Sequence, residues 1–92
     1  MADRQKEYEG LIQSFSERAT KQLVGRRIVL ARYMTEDERK ALAWSTSVLV
    51  LVLDDGTMLF PSRDDEGNDG GALFGSDMCG ESIDFPVIRP YF

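Results

Sequence analysis

The sequence predicts an α+β domain in which an N-terminal amphipathic helix packs on a small antiparallel sheet. Over the first 24 positions, apolar residues recur every three or four residues, as on one face of a helix. The apolar run from Val48 to Leu53 is followed by Asp55-Gly56, which is typical of a β-hairpin. The 92 residues are enough for one core. We therefore expect a single domain over residues 1–92.

The N-terminal helix is predicted over about residues 3–24. Its apolar stripe consists of Tyr8, Leu11, Ile12, Phe15, Ala19 and Leu23. Gly25 follows the last apolar position and can adopt the left-handed conformation that ends helices. A helix of this length is marginal in isolation, because most helical stability comes from packing of the apolar face. We expect the stripe to pack on the sheet, which is predicted within residues 26–89.

Two shorter elements are predicted next. The segment Ile28 to Tyr33 is rich in β-branched and aromatic residues, as strands are. Thr35 and Glu38 have the spacing of a capping box, which opens a short helix. Trp44 is predicted to close this helix and pack under the sheet.

The central hairpin is predicted over residues 47–60. With Asp55 and Gly56 as a two-residue turn, Leu53 pairs with Met58. In that register one face carries Leu49, Leu51, Leu53, Met58 and Phe60, and the other carries Val48, Val50, Val52 and Leu59. Both faces are apolar, so both should be covered. The first helix can cover one; the short helix, closure into an SH3-like barrel or a partner chain can cover the other.

The chain after the hairpin is mostly polar. Residues 62–71 form an acidic, glycine-rich loop without an apolar residue. Residues 72–74 are expected to return to the core, followed by a polar stretch through Ser82. A last strand is predicted over residues 83–88, where Pro86 favours an edge position.

Charge and composition exclude several classes of function. Residues 1–40 hold nine basic and seven acidic residues, whereas residues 41–92 hold two basic and nine acidic ones. The acidic half should repel phosphate backbones, so we expect no nucleic-acid partner. No apolar run reaches membrane-span length, and charges occupy the N-terminus where a signal peptide needs apolar residues. We expect no membrane association and a cytoplasmic location. Cys79 is the single cysteine and is expected to be a small, partly buried residue.

The chain lacks most of the residues and motifs on which catalysis commonly depends. There is no histidine, which removes Ser-His-Asp and Cys-His catalysis and histidine-based zinc sites. Neither glycine-rich phosphate-binding motif occurs. We therefore assign no catalytic residue, no metal ligand and no cofactor, and a domain that is not an enzyme is favoured.

The acidic loop is the candidate binding site. Its candidate residues are Arg63, Asp64, Asp65, Glu66, Asn68 and Asp69. Long loops in small domains tend to carry function. The side-chain oxygens of the candidate residues are of the type that Ca²⁺ and Mg²⁺ accept. The spacing does not fit an EF-hand, because a loop that starts at Asp64 has Asp69 at the position where an EF-hand requires glycine. Arg63 is expected to act as an internal counter-ion that holds the loop closed.

Two classes of function remain open. The preferred hypothesis is a small, soluble, non-catalytic interaction or accessory domain whose acidic loop contacts a basic protein partner or a second copy of the chain. The alternative is a divalent-cation-binding domain or metal-assisted hydrolase that uses the same loop carboxylates. A homodimer pairing through the last strand is a third possibility.

Overall fold

The computed structural model describes the backbone of residues 2–90, so Met1, Tyr91 and Phe92 of the predicted domain lie outside the described residues. The elements in chain order are α1 (Ala2–Leu23), β1 (Ile28–Tyr33), α2 (Glu36–Ala41), β2 (Leu49–Leu53), β3 (Met58–Leu59), β4 (Leu73–Ser76) and β5 (Ser82–Phe85). One long helix with antiparallel sheets confirms the predicted α+β class.

The strands form two antiparallel sheets, one ordered β1-β2-β3 and the other β4-β5. They are joined where Ser47 bridges Ile88 and where the Tyr33 hydroxyl donates to the Pro86 carbonyl at 2.8 Å. Within residues 2–90 the two sheets do not close into a barrel. The ladder has no way to continue, because β3 is two residues long and Pro61 follows soon after it.

The short helix α2 begins as predicted. The Thr35 hydroxyl accepts from the Glu38 amide at 3.2 Å, and the Glu38 carboxylate accepts from the Thr35 amide at 2.9 Å, which completes the capping box. The Arg32 guanidinium donates to both oxygens of Glu38, at 2.8 and 3.0 Å. These donors lower the pKa of Glu38 to about 2. They fasten α2 to β1.

The hairpin connection differs from the predicted two-residue turn. The Leu53 amide donates to the Thr57 carbonyl at 2.8 Å, so these two residues pair and three residues, Asp54 to Gly56, form the turn. The Gly56 amide donates to the Leu53 carbonyl at 3.0 Å. Gly56 has a φ of 89°, whereas Asp55 does not have a positive φ. The predicted turn needs positive φ at both positions, which only glycine adopts freely. Asp55 instead accepts from the Thr57 amide at 3.0 Å, which stabilises a type I turn followed by a left-handed glycine.

This longer turn shifts the register by one residue. Leu51 pairs with Leu59 and Val52 with Met58, so the predicted pairing of Leu53 with Met58 is wrong. Because side chains alternate between faces, the shift moves Leu59 to the leucine face and Met58 to the valine face. The prediction also placed Phe60 on the leucine face. In the structure its ring packs edge-on against the Trp44 ring, and the two ring centroids are 5.8 Å apart.

Burial is concentrated on β2, so the prediction that both faces of the hairpin are covered fails for its second strand, where Met58 is 43% exposed. The core on the valine face consists of Met34, Trp44, Val48 and Val50, with Val52 and Val87 packed against it. On the leucine face, Leu49 and Leu53 are buried and Leu51 is half-buried. An apolar pocket of about 260 Å³ remains there, lined by Leu49, Leu51, Leu59, Phe60, Pro61 and Leu73.

Helix α1 forms as predicted, but its stripe does not pack on the sheet. Every described side chain of α1 is exposed, including Tyr8 at 62% and Phe15 at 54%. The radius of gyration is 16.1 Å, against about 12 Å for a compact chain of this length. The expected packing is wrong, and part of the sheet stays open as well, since Ile28 and Val29 of β1 are 60% and 61% exposed. The helix projects from the body as an arm about 33 Å long.

The region after the acidic loop also differs from prediction. The segment 73–76 is strand β4, which pairs with β5, whereas a polar stretch was predicted through Ser82. Phe74 is 75% exposed and does not join the core. The second half of β4 hid the strand, because Gly75 and Ser76 are residue types depleted in strands and typical of loops.

The last strand is shorter than predicted, since β5 ends at Phe85, before Pro86. The turn before it is tight, because the Asp77 carboxylate accepts from the amides of Cys79 and Glu81, both at 2.9 Å. Cys79 is consequently exposed in this turn, not partly buried as expected.

Candidate functional site

Backbone hydrogen bonds join the two ends of the acidic loop. The Arg63 amide donates to the Asp69 carbonyl at 3.0 Å, and the Gly71 amide donates to the Pro61 carbonyl at 3.1 Å. Residues 62–71 therefore leave and re-enter the body at nearly the same place. The loop is held as a compact unit.

Asp69 anchors the loop to the segment before β2. Its carboxylate accepts from the Ser45 amide at 3.0 Å and from the Thr46 amide and hydroxyl at 3.3 and 3.1 Å. It also accepts from the Ser45 hydroxyl and from the Gly70 amide. The Ser45 hydroxyl and these further donors hold the pKa of Asp69 well below its usual range, because they stabilise the ionised form. Asp69 is thus committed to the fold.

Two more contacts seat the loop on the core. The Trp44 indole N–H donates to the Gly67 carbonyl at 2.7 Å. At Gly70 a side chain would overlap the side chains of Val48 and Thr46, so only glycine allows the loop to approach this closely. The buried tryptophan therefore satisfies its polar atom through the loop.

Asp64 organises the loop tip. One carboxylate oxygen accepts from the amides of Glu66 and Asn68, at 3.1 and 3.2 Å, and the other accepts from the Asn68 side chain at 2.9 Å. Asn68 and these amides lower the pKa of Asp64. Arg63 lies 3.6 Å from Asp64 and is largely exposed, so it adds little to loop closure. The hydrogen bonds of Asp64 and Asp69 perform the closing role expected of Arg63.

The loop carboxylates do not converge. Among the described residues, no group of three or more acidic or cysteine side chains is placed to hold a metal ion. Asp64 and Asp69 are occupied by hydrogen bonds from the protein, and Asp65 and Glu66 are exposed. The geometry gives no support to the divalent-cation alternative. The exposed charged side chains of the loop that do not organise its backbone are Arg63, Asp65 and Glu66.

The surface that the sequence analysis did not identify as a site is the apolar stripe of α1. Its large members Tyr8, Leu11, Ile12, Phe15 and Leu23 are each between 39% and 62% exposed. The Arg18 guanidinium lies 5.0 Å from the centroid of the Phe15 ring and borders the stripe. The 3.6-residue period revealed the stripe, but nothing in the period shows whether another element covers it.

A depression of about 620 Å³ also runs beside α1, lined by polar residues between positions 13 and 21. It is one side of an exposed helix without an opposing wall, and it is not a binding site. Within the described residues no helix is long and apolar enough to cross a membrane. In comparisons with known proteins, no protein family, no curated protein and no solved structure matches this chain.

Proposed function

We propose that this chain is a non-catalytic interaction domain that binds a protein partner through the apolar stripe of α1. The observation that carries the proposal is the exposure of the stripe along the whole helix. Tyr8, Leu11, Ile12 and Phe15 form one contiguous row, and each is about half exposed. Monomers rarely expose an apolar patch larger than a few hundred Å² unless the patch binds something.

The size of the stripe is sufficient for binding. Side chains of this kind expose about 200 Å² each, so five of them half exposed present roughly 500 Å². At about 25 cal/mol per Å², burying this area contributes roughly 12 kcal/mol before the costs of association. Those costs are about 4–15 kcal/mol. Burial of the stripe therefore offsets the association costs over most of that range.

The rest of the domain serves as a rigid support for the arm. The core around Trp44 and Val50 and the docked loop do not depend on α1, because the α1 side chains are exposed. The acidic loop remains a second proposed contact. Its exposed Asp65 and Glu66 carry negative charge at a fixed position, which favours a partner with a basic patch.

Site-specific photo-cross-linking in cells tests the proposal. A photoreactive residue at Ile12, in the stripe, is expected to give a defined cross-linked product. The same residue at Ser14, on the polar face of the same helix, is the matched control and is expected to give none. Equal products from both positions, or no product from Ile12, would contradict an interaction through the stripe.

A salt series on the captured complex tests the loop contribution. Asp65→Asn with Glu66→Gln removes two exposed charges without touching the hydrogen bonds of Asp64 and Asp69. We expect weaker binding with a shallower salt dependence. Binding unchanged in strength and in salt dependence would exclude the loop as a contact.

A further inference from the structure

We infer that the partner of the α1 stripe is the α1 stripe of a second copy of this chain, in an antiparallel helix pair. The inference rests on the proposed function, because it identifies the occupant of the same surface. It is carried by three features of the helix: the spacing of the stripe, the distribution of charge along the arm, and the area available.

The spacing of the stripe matches a helix-pairing seam. Tyr8, Ile12, Phe15 and Ala19 alternate at intervals of four and three residues, which is the spacing that keeps a seam facing a partner helix. A two-fold axis beside Phe15 places Tyr8 of one copy opposite Leu23 of the other. It also places each Ile12 opposite an Ala19, so that a large side chain meets a small one and the backbones can approach.

The charge distribution favours the antiparallel direction. Residues 2–12 hold three acidic and two basic side chains, and residues 13–27 hold one acidic and four basic ones. One of the four, Arg26, is already paired with Asp55 at 3.3 Å, which leaves a surplus of positive charge at that end. Antiparallel pairing sets the acidic end of each arm beside the basic end of the other, and it opposes the helix dipoles. Parallel pairing would bring the basic ends together.

The area is adequate for a reversible dimer. Roughly 500 Å² of apolar surface on each helix gives roughly 1,000 Å² in a pair, which is at the lower limit for a specific interface. A dimer of this size with exposed ends forms and dissociates with protein concentration. Every described side chain of α1 is exposed, so no element of the same chain competes for the stripe.

A lipid surface is the less suitable occupant. Helices that lie on membranes are rich in Lys and Arg on the polar face. The 22 residues of α1 hold four basic and four acidic side chains, and the chain carries a net charge of −5. Anionic lipid would therefore gain little attraction from the arm.

Sedimentation of the full chain is the first test. We expect a monomer–dimer equilibrium between about 1 and 300 µM. Phe15→Glu places a charge at the centre of the seam and is expected to raise the dissociation constant at least about 100-fold. Ser14→Glu, on the polar face of the helix, is the control and should leave the constant within about twofold. The far-ultraviolet circular dichroism of both variants reports whether α1 is retained.

Disulfide trapping tests the direction, in a Cys79→Ser background. Tyr8→Cys and Leu23→Cys proteins are oxidised separately and as a mixture. Antiparallel pairing yields a cross-linked dimer mainly in the mixture, because positions 8 and 23 meet only between copies. Efficient cross-linking of each protein alone would show parallel pairing and overturn the inference.

The remaining outcomes separate this inference from the proposed function. A chain that stays monomeric while Ile12 cross-links to a different protein overturns the dimer and leaves the interaction function intact. Binding to anionic vesicles by a monomer also overturns the dimer. A dimer that survives Phe15→Glu would lie on another surface, such as β5, and would overturn the assignment of α1. Absence of both self-association and any stripe-specific cross-link would overturn both proposals.

Discussion

Replacing Asp69 with alanine is expected to destabilise the fold by about 2–4 kcal/mol. The carboxylate receives hydrogen bonds from Ser45, Thr46 and Gly70, and Thr46 is only 3% exposed. A buried donor that loses its acceptor costs about 1–3 kcal/mol, and hydrogen bonds to a charged group contribute about 1.5–3 kcal/mol each. In Asp69→Ala both the amide and the hydroxyl of Thr46 lose their acceptor. Because such costs are not additive, the expected total is about 2–4 kcal/mol and not their full sum.

Urea unfolding followed by the fluorescence of Trp44, the single tryptophan, measures this loss. Asp65→Asn, in the same loop and exposed, is the control and should stay within about 0.5 kcal/mol of the wild type. Asp69→Asn keeps one acceptor oxygen and should fall between the two. If Asp69→Ala were no less stable than Asp65→Asn, the assignment of Asp69 as the loop anchor would be refuted.

The pH dependence provides a second measurement on the same residue. Because the folded pKa of Asp69 is lowered, its contribution is fully present above the unfolded pKa of about 3.9 and is lost as the pH falls through the folded value. The stability difference between the wild type and Asp69→Ala should therefore be constant from pH 5 to pH 7, by this reasoning, and narrow below about pH 4. A difference that grew on acidification would contradict the structure.

Three further predictions concern the body and the arm. Gly70→Ala should destabilise the chain by about 1–3 kcal/mol, because the added Cβ would overlap core side chains. Gly10→Ala, in open space within α1, should instead stabilise the helix by about 0.5–1 kcal/mol. Thermal unfolding and helical circular dichroism measure both variants, and similar effects from the two would contradict the docked loop. The Glu38 carboxyl should titrate near pH 2 by carbon-13 NMR and move upward in Arg32→Ala, and a wild-type midpoint at the ordinary value of about 4.3 would contradict the ion pair. Trp44→Phe should cost about 1–3 kcal/mol because the Gly67 carbonyl loses its donor, and an unchanged urea midpoint, followed by circular dichroism since the tryptophan is gone, would contradict that hydrogen bond.

Helix α1, strand β1, the capping box of α2 and the apolar strand β2 were predictable because their signals are local. Periodicity of 3.6 or 2 residues and the Thr35–Glu38 pair depend on neighbours a few positions away. The hairpin itself was also predictable. Its register was not, because a two-residue and a three-residue turn both use Asp55-Gly56, and the Thr57 amide decides between them.

The position of the candidate loop was predictable from the sequence, but the separate roles of its carboxylates were not. Its composition marks residues 62–71 as an acidic loop, and the acids look equivalent in the sequence. In the structure Asp69 reaches Ser45 and Thr46, which lie 24 and 23 positions earlier, and only this long-range contact separates an anchoring carboxylate from the exposed Asp65.

The sequence by itself determined that residues 8–23 present one apolar helical face and that the strand at residues 49–53 is apolar on both sides. Only the tertiary structure decided which of these surfaces stays open to solvent. A periodic pattern states which side chains avoid water, but the element that covers them is chosen by competition among all segments of the chain. Here the residues around Trp44 and Val50 form the core against β2, and the stripe of α1 stays exposed to solvent.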